Sequence, residues 1–392
     1  MHTELANRTS AVVYSAAHRR GGVERVVHEL LAAGTGTRIP VFVGGELQPS
    51  LEGVAHRAVD ERWGPPPIGL CRNRAAFRSA LQDLRPDVAI TAGANCPPGD
   101  VLVVGSVHRA WLSMAHPVTV RGRQLTGRLR LAHPWHRTMM ELERRYFTDS
   151  RYSRAIACSD GVKSELVDHY SVDPDRISVV PNGYSAAEFS LQRRYELRDR
   201  VRAELVTSPD EIVLLLVANE LHRKGLPTIL RAMAALREPQ LRLVVVGKAS
   251  REPFEPLVAE LKLERQVTWR GPTSTVNEYF AAADVLLLPA RYEPFGLVVV
   301  EALATGLPVI VSRTAGAAGA VIEDVNGLLL DDPDSPDELA SAISRALVPG
   351  VLPRWAHESA GSVGEYEWSR ITPKIWAIAD EVAATGNGRF SR

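Results

Sequence analysis

The sequence predicts an α/β protein built from two doubly wound domains. Short apolar runs rich in β-branched residues alternate with amphipathic helical patterns along the whole chain. Continuous apolar strands joined by helices indicate parallel sheets that are covered on both faces. The alternation breaks once, near residues 186–205, where a charged stretch contains no strand. Because 392 residues exceed one ordinary core, we expect an N-terminal domain over 1–190 and a C-terminal domain over 200–365.

Eleven strands are predicted, six in the first half and five in the second. The first six are Ala11–Ala16, Arg38–Val43, Asp87–Ala92, Val101–Val107, Ala155–Ser159 and Ile177–Val180. The other five are Ile212–Ala218, Leu241–Gly247, Val267–Arg270, Val285–Pro289 and Pro308–Val311. Helices are expected between them, including Val23–Ala33 and Gly161–Tyr170, and a final helix at about 369–385 should pack back on the first domain. Since ligands bind outside the carboxyl ends of parallel strands, the loops that leave strands are the expected sites.

The composition excludes several classes of protein. The 46 basic and 46 acidic residues give a formal net charge of zero, which argues against a nucleic-acid partner. The sequence has neither an apolar run of about 20 residues nor the basic-then-apolar order of a signal peptide at its start. The three cysteines, Cys71, Cys96 and Cys158, suit neither a disulfide framework nor a zinc site. A cytoplasmic protein is expected.

A pair of glycines follows the first predicted strand. Gly21 and Gly22 come after the polar residues 18–20 and before the helix that begins near Val23. Adjacent glycines let the backbone approach a ligand closely, and the start of a helix suits a phosphate group. A plain glycine-rich turn is the alternative interpretation.

Two adjacent cations follow the first strand of the second domain. Arg223 and Lys224 precede Gly225 and a predicted helix, and lysine occurs only five times in the chain. Paired cations at a strand exit suit a diphosphate, because arginine binds oxygens in a fork and lysine supplies a compact charge. The alternative is a solvated charge pair that caps the loop.

Two glutamates flank the stretch that follows Val285–Pro289. Glu293 lies at the strand exit, and the helix is expected to begin at Pro294 or Phe295. Glu301 then lies eight residues further on among aliphatic neighbours, which is roughly 12 Å along a helix axis. A buried carboxylate needs a hydrogen-bond donor, and ligand hydroxyls are good donors. Alternatively, Glu301 pairs with a structural arginine and Glu293 only favours the helix N-terminus.

Two further features lie in the first half. His108 follows a predicted strand, although a lone histidine is often structural. The stretch Arg121–Arg154 holds nine arginines, and part of it is amphipathic. Such a surface suits peripheral contact with anionic lipid, which would place the protein at the inner membrane face. A solvated face around the domain is the favoured alternative.

Four stretches in order give the chain a resemblance to a known family. They are "GGVERVVHEL", "AIACSDGVKSELVDHYSVDPDRISVVPNGYSAAEF", "HRKGLPTILRAM" and "RYEPFGLVVVEALATGLPVIVS". Together they resemble the retaining glycosyltransferases of family 4, including their lipopolysaccharide-core glucosyltransferase branch, over about residues 11–375. The resemblance implies the GT-B fold, in which two Rossmann-like domains face a central cleft. It also implies a nucleotide-sugar donor, with UDP the commoner nucleotide, and a glycan, lipid-linked or small-molecule acceptor.

The resemblance also implies roles for individual residues. Glu293 would hydrogen-bond hydroxyls of the donor sugar, and Glu301 the ribose. Backbone N–H groups of Phe295, Gly296 and Leu297 would lie near the sugar and phosphate. Further members of the implied site are Arg223 and Lys224 at the diphosphate, Gly21 and Gly22 where the first domain closes, and His108 beside the donor sugar. No metal and no cofactor are expected.

One departure of the chain from the family bears on the phosphate contacts of this site. Many members carry an arginine five residues before the motif lysine, where this chain has Asn219 after Ala218. Arg223 is expected to supply the second cation instead. Two other functions stay open: a non-hydrolysing UDP-sugar epimerase with the same fold, and a non-catalytic protein that binds nucleotide sugars. A dehydrogenase is disfavoured because the dinucleotide fingerprint is missing.

Overall fold

A computed structural model describes residues 8–19, 21–34, 38–60, 68–114, 118–120, 123–125, 133–149, 151–385 and 390. The chain divides into two compact units. The first comprises residues 1–182 together with 368–392, and the second comprises residues 183–367.

The first unit contains eleven strands and six helices among the described residues. Its strands are β1 (Arg8–Val13), β2 (Ala16–Ala17), β3 (Arg38–Gly44), β4 (Glu46–Leu47), β5 (Ala55–Ala58), β6 (Val88–Ala92), β7 (Val101–Val104), β8 (Val118–Val120), β9 (Arg123–Leu125), β10 (Arg154–Ala157) and β11 (Ile177–Val179). Its helices are α1 (Val23–Ala33), α2 (Ile68–Leu84), α3 (His108–Met114), α4 (Pro134–Phe147), α5 (Asp160–Tyr170) and α13 (Trp368–Ala384). Short 3₁₀ turns lie at Pro49–Leu51 and Pro174–Arg176.

Seven parallel strands form the main sheet of the first unit, in the order β11-β10-β7-β6-β1-β3-β5. The last helix of the chain, α13, packs against this unit, because Trp376 Nε1 donates to the carbonyl oxygen of Leu30 at 3.3 Å. An ion pair between Arg38 and Asp380 adds a second contact.

The second unit contains six strands and seven helices. Its strands are β12 (Ile212–Val217), β13 (Leu241–Val246), β14 (Val267–Arg270), β15 (Val285–Leu288), β16 (Val309–Ser312) and β17 (Gly327–Leu330). Its helices are α6 (Leu191–Glu204), α7 (Leu226–Leu236), α8 (Glu255–Glu260), α9 (Val276–Ala282), α10 (Leu297–Ala304), α11 (Pro336–Ala346) and α12 (Val351–Ser359). The 3₁₀ turns are Gly316–Ala320 and Ala360–Tyr366.

All six strands of the second unit are parallel, in the order β14-β13-β12-β15-β16-β17. From β12 the chain first builds outward through β13 and β14, and it then returns to the other side of β12 with β15. The strand order therefore reverses between β12 and β15, and such a switch point is where open parallel sheets bind ligands. Both strands are apolar and almost wholly buried, with Leu215 paired to Leu286 across the switch point.

The charged stretch between the predicted domains forms α6, which belongs to the second unit. Arg194, Arg198 and Arg202 lie along this helix and donate to backbone carbonyl groups at the C-terminal end of α9. Arg198 and Arg202 also pair with Asp284. Because the carbonyl end of a helix carries partial negative charge, the three guanidinium groups fasten α6 to α9.

The α/β architecture with two parallel sheets is confirmed, and the structure adds strands that the pattern did not reveal. β5 is an edge strand whose four residues are all exposed, so it lacks the apolar run that marks a buried strand. β17 was missed because it opens on Gly327. None of the helices in the described ranges combines the length and the apolar character needed to cross a membrane.

Candidate functional site

Two strand exits of the second unit meet at the switch point. Gly225, after β12, has φ +81°, and a Cβ atom there would lie 2.1 Å from the carbonyl oxygen of Pro289, which follows β15. Only glycine allows this approach, because its backbone conformation and the available space both exclude a side chain. The Arg291 N–H donates to the carbonyl oxygen of Arg223 at 3.0 Å and holds the two loops together. Residues 64 and 68 positions apart in sequence thus form one site.

A carboxylate and two cations lie together where these loops meet. Lys224 Nζ is 2.7 Å from Glu293 Oε2, and Arg223 Nη1 is 3.6 Å from the same oxygen. The three side chains are only 10–14% exposed. Oε2 makes ion pairs but no aligned hydrogen bond among the described residues, so it retains capacity to accept from a ligand hydroxyl. The predicted solvated charge pair does not describe this arrangement.

Arg223 is held mainly by groups of the protein. Its Nε and Nη2 atoms donate to the two carboxylate oxygens of Glu220 at 3.1 and 3.2 Å. Its Nη1 atom donates to the carbonyl oxygen of Tyr292. These bonds occupy the fork of the guanidinium, so Arg223 fastens one loop to the other. Lys224 is the cation whose only ion pair within the described ranges is with Glu293.

The helix after β15 begins later than the sequence predicted. Gly296 is its N-cap, in the left-handed region at φ +96°, and the first helical residue is Leu297. The expected start at Pro294 or Phe295 is therefore wrong, because the turn needs a left-handed residue before the helix. Gly296 makes no side-chain cap, so the first N–H groups of α10 have no partner within the helix.

The loop after β16 clamps this turn, although the sequence suggested no role for it. The Gly316 N–H donates to the carbonyl oxygen of Glu293 at 2.9 Å, and the Ala317 N–H donates to that of Phe295 at 2.7 Å. A Cβ atom on Gly316 would lie 2.0 Å from the carbonyl oxygen of Pro294. This close approach fixes the backbone that carries Glu293.

Glu301 lies on the buried face of α10 and is 4% exposed. It is four residues from the start of the helix at Leu297, which is about 6 Å along the axis. The predicted separation of two helical turns from Glu293 is therefore wrong, since Glu293 lies outside the helix. Burial of Glu301 among aliphatic residues agrees with the sequence prediction.

Asn219 stands where many family members carry arginine, and its side chain joins two strand exits. Its Oδ1 atom accepts from the N–H of Lys248, which follows β13, at 3.0 Å. Gly247 allows the approach, because a Cβ atom there would lie 2.0 Å from the carbonyl oxygen of Ala218. Lys248 is exposed, and no role was predicted for it from the sequence. The small number of lysines and its position after a strand could have singled it out.

The predicted glycine loop of the first unit precedes α1. Gly21 has φ +111°, and no described atom lies within 4 Å of a Cβ atom built on Gly22. The open space at Gly22 agrees with a close approach of a ligand. However, a Cβ atom on Gly21 would meet the Glu24 carboxylate at 2.4 Å. An acid already lies at the positive end of α1, which makes the loop less suited to phosphate than predicted. Arg20, which the prediction grouped with this loop, lies outside the described residues.

His108 begins α3, just after β7, and is fixed through its backbone. Its N–H donates to Glu143 Oε1 at 2.6 Å, and Glu143 Oε2 accepts from Tyr170 Oη at 2.7 Å. Burial raises the pKa of Glu143. The His108 ring lies against His136, with Nε2 and Nδ1 3.0 Å apart. Burial, together with His136, lowers the pKa of His108 to about 4, so the ring is neutral at neutral pH.

An arginine-rich cavity of about 1170 Å³ lies elsewhere on the first unit. Its cationic lining residues are Arg109, Arg137, Arg144 and Arg145. Arg144 and Arg145 both pair with Glu141, at 2.8 and 2.6 Å. The predicted basic stretch Arg121–Arg154 contributes several of these residues, but 121–122, 126–132 and 150 lie outside the described residues. Within the described ranges, no three His, Cys, Asp or Glu residues are grouped to hold a metal ion.

Comparisons with known proteins show what the two units resemble. A family model for group 1 glycosyl transferases matches residues 198–352, and one for glycosyltransferase family 4 matches residues 20–188. The D-inositol 3-phosphate glycosyltransferase of Actinosynnema mirum is 34% identical over 239 residues, which cover 57% of this chain and 56% of that protein. The lipopolysaccharide glucosyltransferase WaaG of Escherichia coli is 29% identical over 222 residues, which cover 55% and 59%. The chain spans between 45% and 63% of the length of such curated relatives.

Solved structures of other proteins have a similar fold over nearly the whole chain. A crystal structure of WaaG, a glycosyltransferase involved in lipopolysaccharide biosynthesis, covers 94% of this chain and 99% of its own, with a TM-score of 0.77 and 21% identity. Anabaena Alr3699/HepE in complex with UDP-glucose covers 95% and 99%, with a TM-score of 0.69 and 17% identity. These likenesses establish the GT-B fold. Because the two family models together match residues 20–188 and 198–352, the chain belongs to the family 4 glycosyltransferases.

Proposed function

We propose that the protein transfers a sugar from a nucleotide-diphosphate sugar, with UDP as the nucleotide, to a glycan, lipid-linked or small-molecule acceptor. The observation that carries this proposal is the pairing of Lys224 with Glu293 at the switch point of the second sheet. A cation for the diphosphate and an acceptor for sugar hydroxyls lie in contact there. A site for a diphosphate alone would need only the cation, and a site for a sugar alone would need only the hydrogen-bond acceptor.

The donor is proposed to lie along the start of α10. Lys224 neutralises the diphosphate, and the free N–H groups at Gly296 and Leu297 face its oxygens or the sugar. Glu293 accepts from the sugar hydroxyls, and Phe295 shapes the turn. Glu301 accepts from the ribose. Arg223 acts mainly as a structural link between the two loops, since its fork is already occupied by Glu220 and Tyr292.

Retention of configuration is part of the proposal. In a front-face reaction the bond from the anomeric carbon to the diphosphate oxygen breaks, and a bond from that carbon to the acceptor oxygen forms on the same face. The acceptor proton passes to the leaving diphosphate oxygen, so no separate base is needed. Lys224 stabilises the negative charge that develops on the diphosphate, and such a contact is strongest in the transition state.

The choice of UDP is supported by Alr3699/HepE, which was solved in complex with UDP-glucose. The proposal does not choose among a glycan, a lipid-linked and a small-molecule acceptor. Placement in the cytoplasm, and peripheral contact with the inner membrane face through Arg121–Arg154, are further parts of the proposal. The arginines that line the cavity of the first unit support an anionic contact there.

The first experiment combines binding with turnover. Thermal unfolding is followed with UDP, GDP and their sugars, because a ligand that binds the native state raises the melting temperature by mass action. Transfer is then measured with the stabilising donor and a panel of acceptors. Lys224→Ala should lower kcat by about 10²–10³, the usual cost of one lost electrostatic contact to a transition state. Lys374→Ala, at an exposed lysine of α13, is the matched control and should retain full activity.

Several results would contradict the proposal. Activity of Lys224→Ala within a few-fold of the parent protein would remove the lysine from the diphosphate site. Transfer that EDTA abolishes and Mg²⁺ or Mn²⁺ restores would overturn the expected metal independence. Conversion of a UDP-sugar without any acceptor would favour the epimerase, and donor binding without turnover would favour a non-catalytic protein.

A further inference from the structure

Five aromatic rings lie together on the first unit, where the start of α3 meets the start of α4. We call His108, Trp111, His133, Trp135 and His136 the ring cluster. His108 is stacked on Trp111 and on His136, with ring centroids 5.3 and 5.2 Å apart. Trp135 meets His108 and His136 edge to face at 5.2 and 5.0 Å, and His133 meets His136 at 5.7 Å.

The ring cluster is open to solvent over part of its surface. Trp135 is 38% exposed and His133 is exposed, whereas the other three rings are half-buried. Tyr195, on α6, is 70% exposed but takes part in no ring contact within the described residues. Single exposed aromatics are ordinary, but a contiguous group of them on a soluble surface marks a binding site.

The cluster is rigid because its two helix starts are fixed. Glu143, which is 4% exposed, accepts from the backbone N–H groups of His108 and Arg109 at the start of α3. At the start of α4, His133 Nδ1 accepts from the Trp135 N–H at 3.3 Å. A ring surface that is already ordered loses little entropy when a ligand binds.

The charge of the cluster limits what it can bind. His108 carries no charge at neutral pH, since burial and His136 keep its pKa near 4. The hydrogen bond between the two imidazoles leaves polar ring edges beside apolar ring faces. Trp135 donates no side-chain hydrogen bond within the described ranges, so its indole N–H is available. Apolar faces with scattered neutral donors and acceptors suit an uncharged ring that carries hydroxyl groups.

We propose that the ring cluster is a subsite for an uncharged pyranose ring of the acceptor. The C–H face of the sugar would pack on Trp135 and Trp111, while its hydroxyls would bond to the imidazole edges. The inference rests on the proposed function, and it narrows the acceptor to one that presents a neutral sugar. Planar aromatic compounds would also stack on indole, so they serve as the competing class in the test.

The experiment uses the full chain labelled with ¹⁵N-tryptophan, whose seven indole N–H signals are assigned with Trp135→Phe and Trp111→Phe. Methyl glucosides, methyl galactosides, maltose and lactose are titrated as probes. We expect saturable shifts of the Trp135 and Trp111 signals, and no shift of the signal from Trp269 in the second unit. Trp135→Ala should weaken this binding about tenfold, as loss of one aromatic contact predicts. Tyr195→Ala is the matched control and should bind like the parent protein.

Several outcomes overturn the proposal. It fails if no glycoside shifts the two signals, or if glycerol shifts them as strongly as a glycoside does. It also fails if only indole or adenosine does so, because the surface would then select flat aromatic rings. UDP binding is measured in parallel by calorimetry. Binding of UDP without sugar binding refutes the subsite alone, whereas sugar binding without UDP binding refutes the proposed transfer and leaves the subsite standing.

Discussion

Replacement of Glu293 by glutamine removes the carboxylate that pairs with both Lys224 and Arg223. The two cations lie 2.7 and 3.6 Å from Glu293 Oε2, in side chains that are only 13% and 14% exposed. Removing one partner of a fully buried ion pair costs about 3–5 kcal/mol. These groups retain some solvent, and Arg223 keeps its two bonds to Glu220. We therefore expect the free energy of unfolding to fall by about 2 kcal/mol, which lowers the melting temperature by about 4–8 °C.

The same substitution should have the opposite effect on nucleotide binding. In the parent protein a diphosphate must compete with Glu293 for Lys224. Without the carboxylate this competition ends, and a gain of about 1 kcal/mol would tighten UDP binding about fivefold. Turnover should nevertheless fall about 10²–10³-fold, because the sugar loses a contact that strengthens as positive charge develops on its ring. Lower stability, tighter UDP binding and slower turnover form one signature.

The assay measures thermal unfolding with and without UDP, UDP affinity by calorimetry, and single-turnover transfer. Glu220→Gln is the matched control, since Glu220 is 48% exposed and also pairs with Arg223. It should cost under about 1 kcal/mol, as expected for a partly exposed pair, and should leave UDP affinity unchanged. If Glu293→Gln melts at the parent temperature and binds UDP more weakly, Glu293 does not pair with Lys224 in the way described.

Two other predictions concern Glu301 and His108. Glu301→Gln should raise the donor KM and weaken UDP binding with little change in kcat, because a ribose contact is similar in the ground and transition states; an unchanged UDP affinity in a folded variant would contradict this role. His108 has a folded-state pKa near 4, below the unfolded value of about 6.5, so the unfolded chain binds more protons between these values. The free energy of unfolding should thus be fully retained above about pH 6.5 and fall as the pH drops towards 4. In His108→Gln this acid-induced decrease in the free energy of unfolding should be smaller by about 1–2 kcal/mol, a value reduced to allow for the partial exposure of the ring. Urea unfolding at pH 4.5 and 7 measures this decrease in each protein. An equal decrease in the parent protein and in His108→Gln would contradict the prediction.

Most of the fold was predictable because the strands are buried on both faces. Val267–Arg270 was predicted with its observed bounds, and Val23–Ala33 likewise as α1. The incorrect predictions concern backbone geometry, which the apolar pattern does not report. β5 lies at a sheet edge with four exposed residues, so its pairing comes from the backbone rather than from an apolar pattern. The start of α10 was displaced because a left-handed turn at Gly296 precedes it.

The candidate site was predictable as a set of residues but not as a set of contacts. Periodicity placed Lys224 and Glu293 each after a predicted strand, but it carries no information on which strands are neighbours or which side chains pair. Their contact depends on the approach of Gly225 to Pro289, which is a property of two backbones. The ring cluster was missed for a related reason, since α3 and α4 bring its members together from separate parts of the chain. The local signals were two spacings of three residues, His108 to Trp111 and His133 to His136.

The four charged groups at the switch point give a reason for the different roles of Glu293 and Glu301. Glu220 and Glu293 balance Arg223 and Lys224, so two negative and two positive charges face one another before any ligand binds. A buried lysine with no partner would be costly, and Glu293 removes that cost in the free protein. Under the proposed function, a diphosphate takes over Lys224 and frees Glu293 to accept from the donor sugar. Glu301 has no part in this exchange, because it lies within α10 and outside the two loops. Glu293, at the strand exit, must therefore change partners during the reaction, whereas the buried Glu301 can keep a fixed contact. Because of this difference, we expect Glu293 to affect kcat and Glu301 to affect KM.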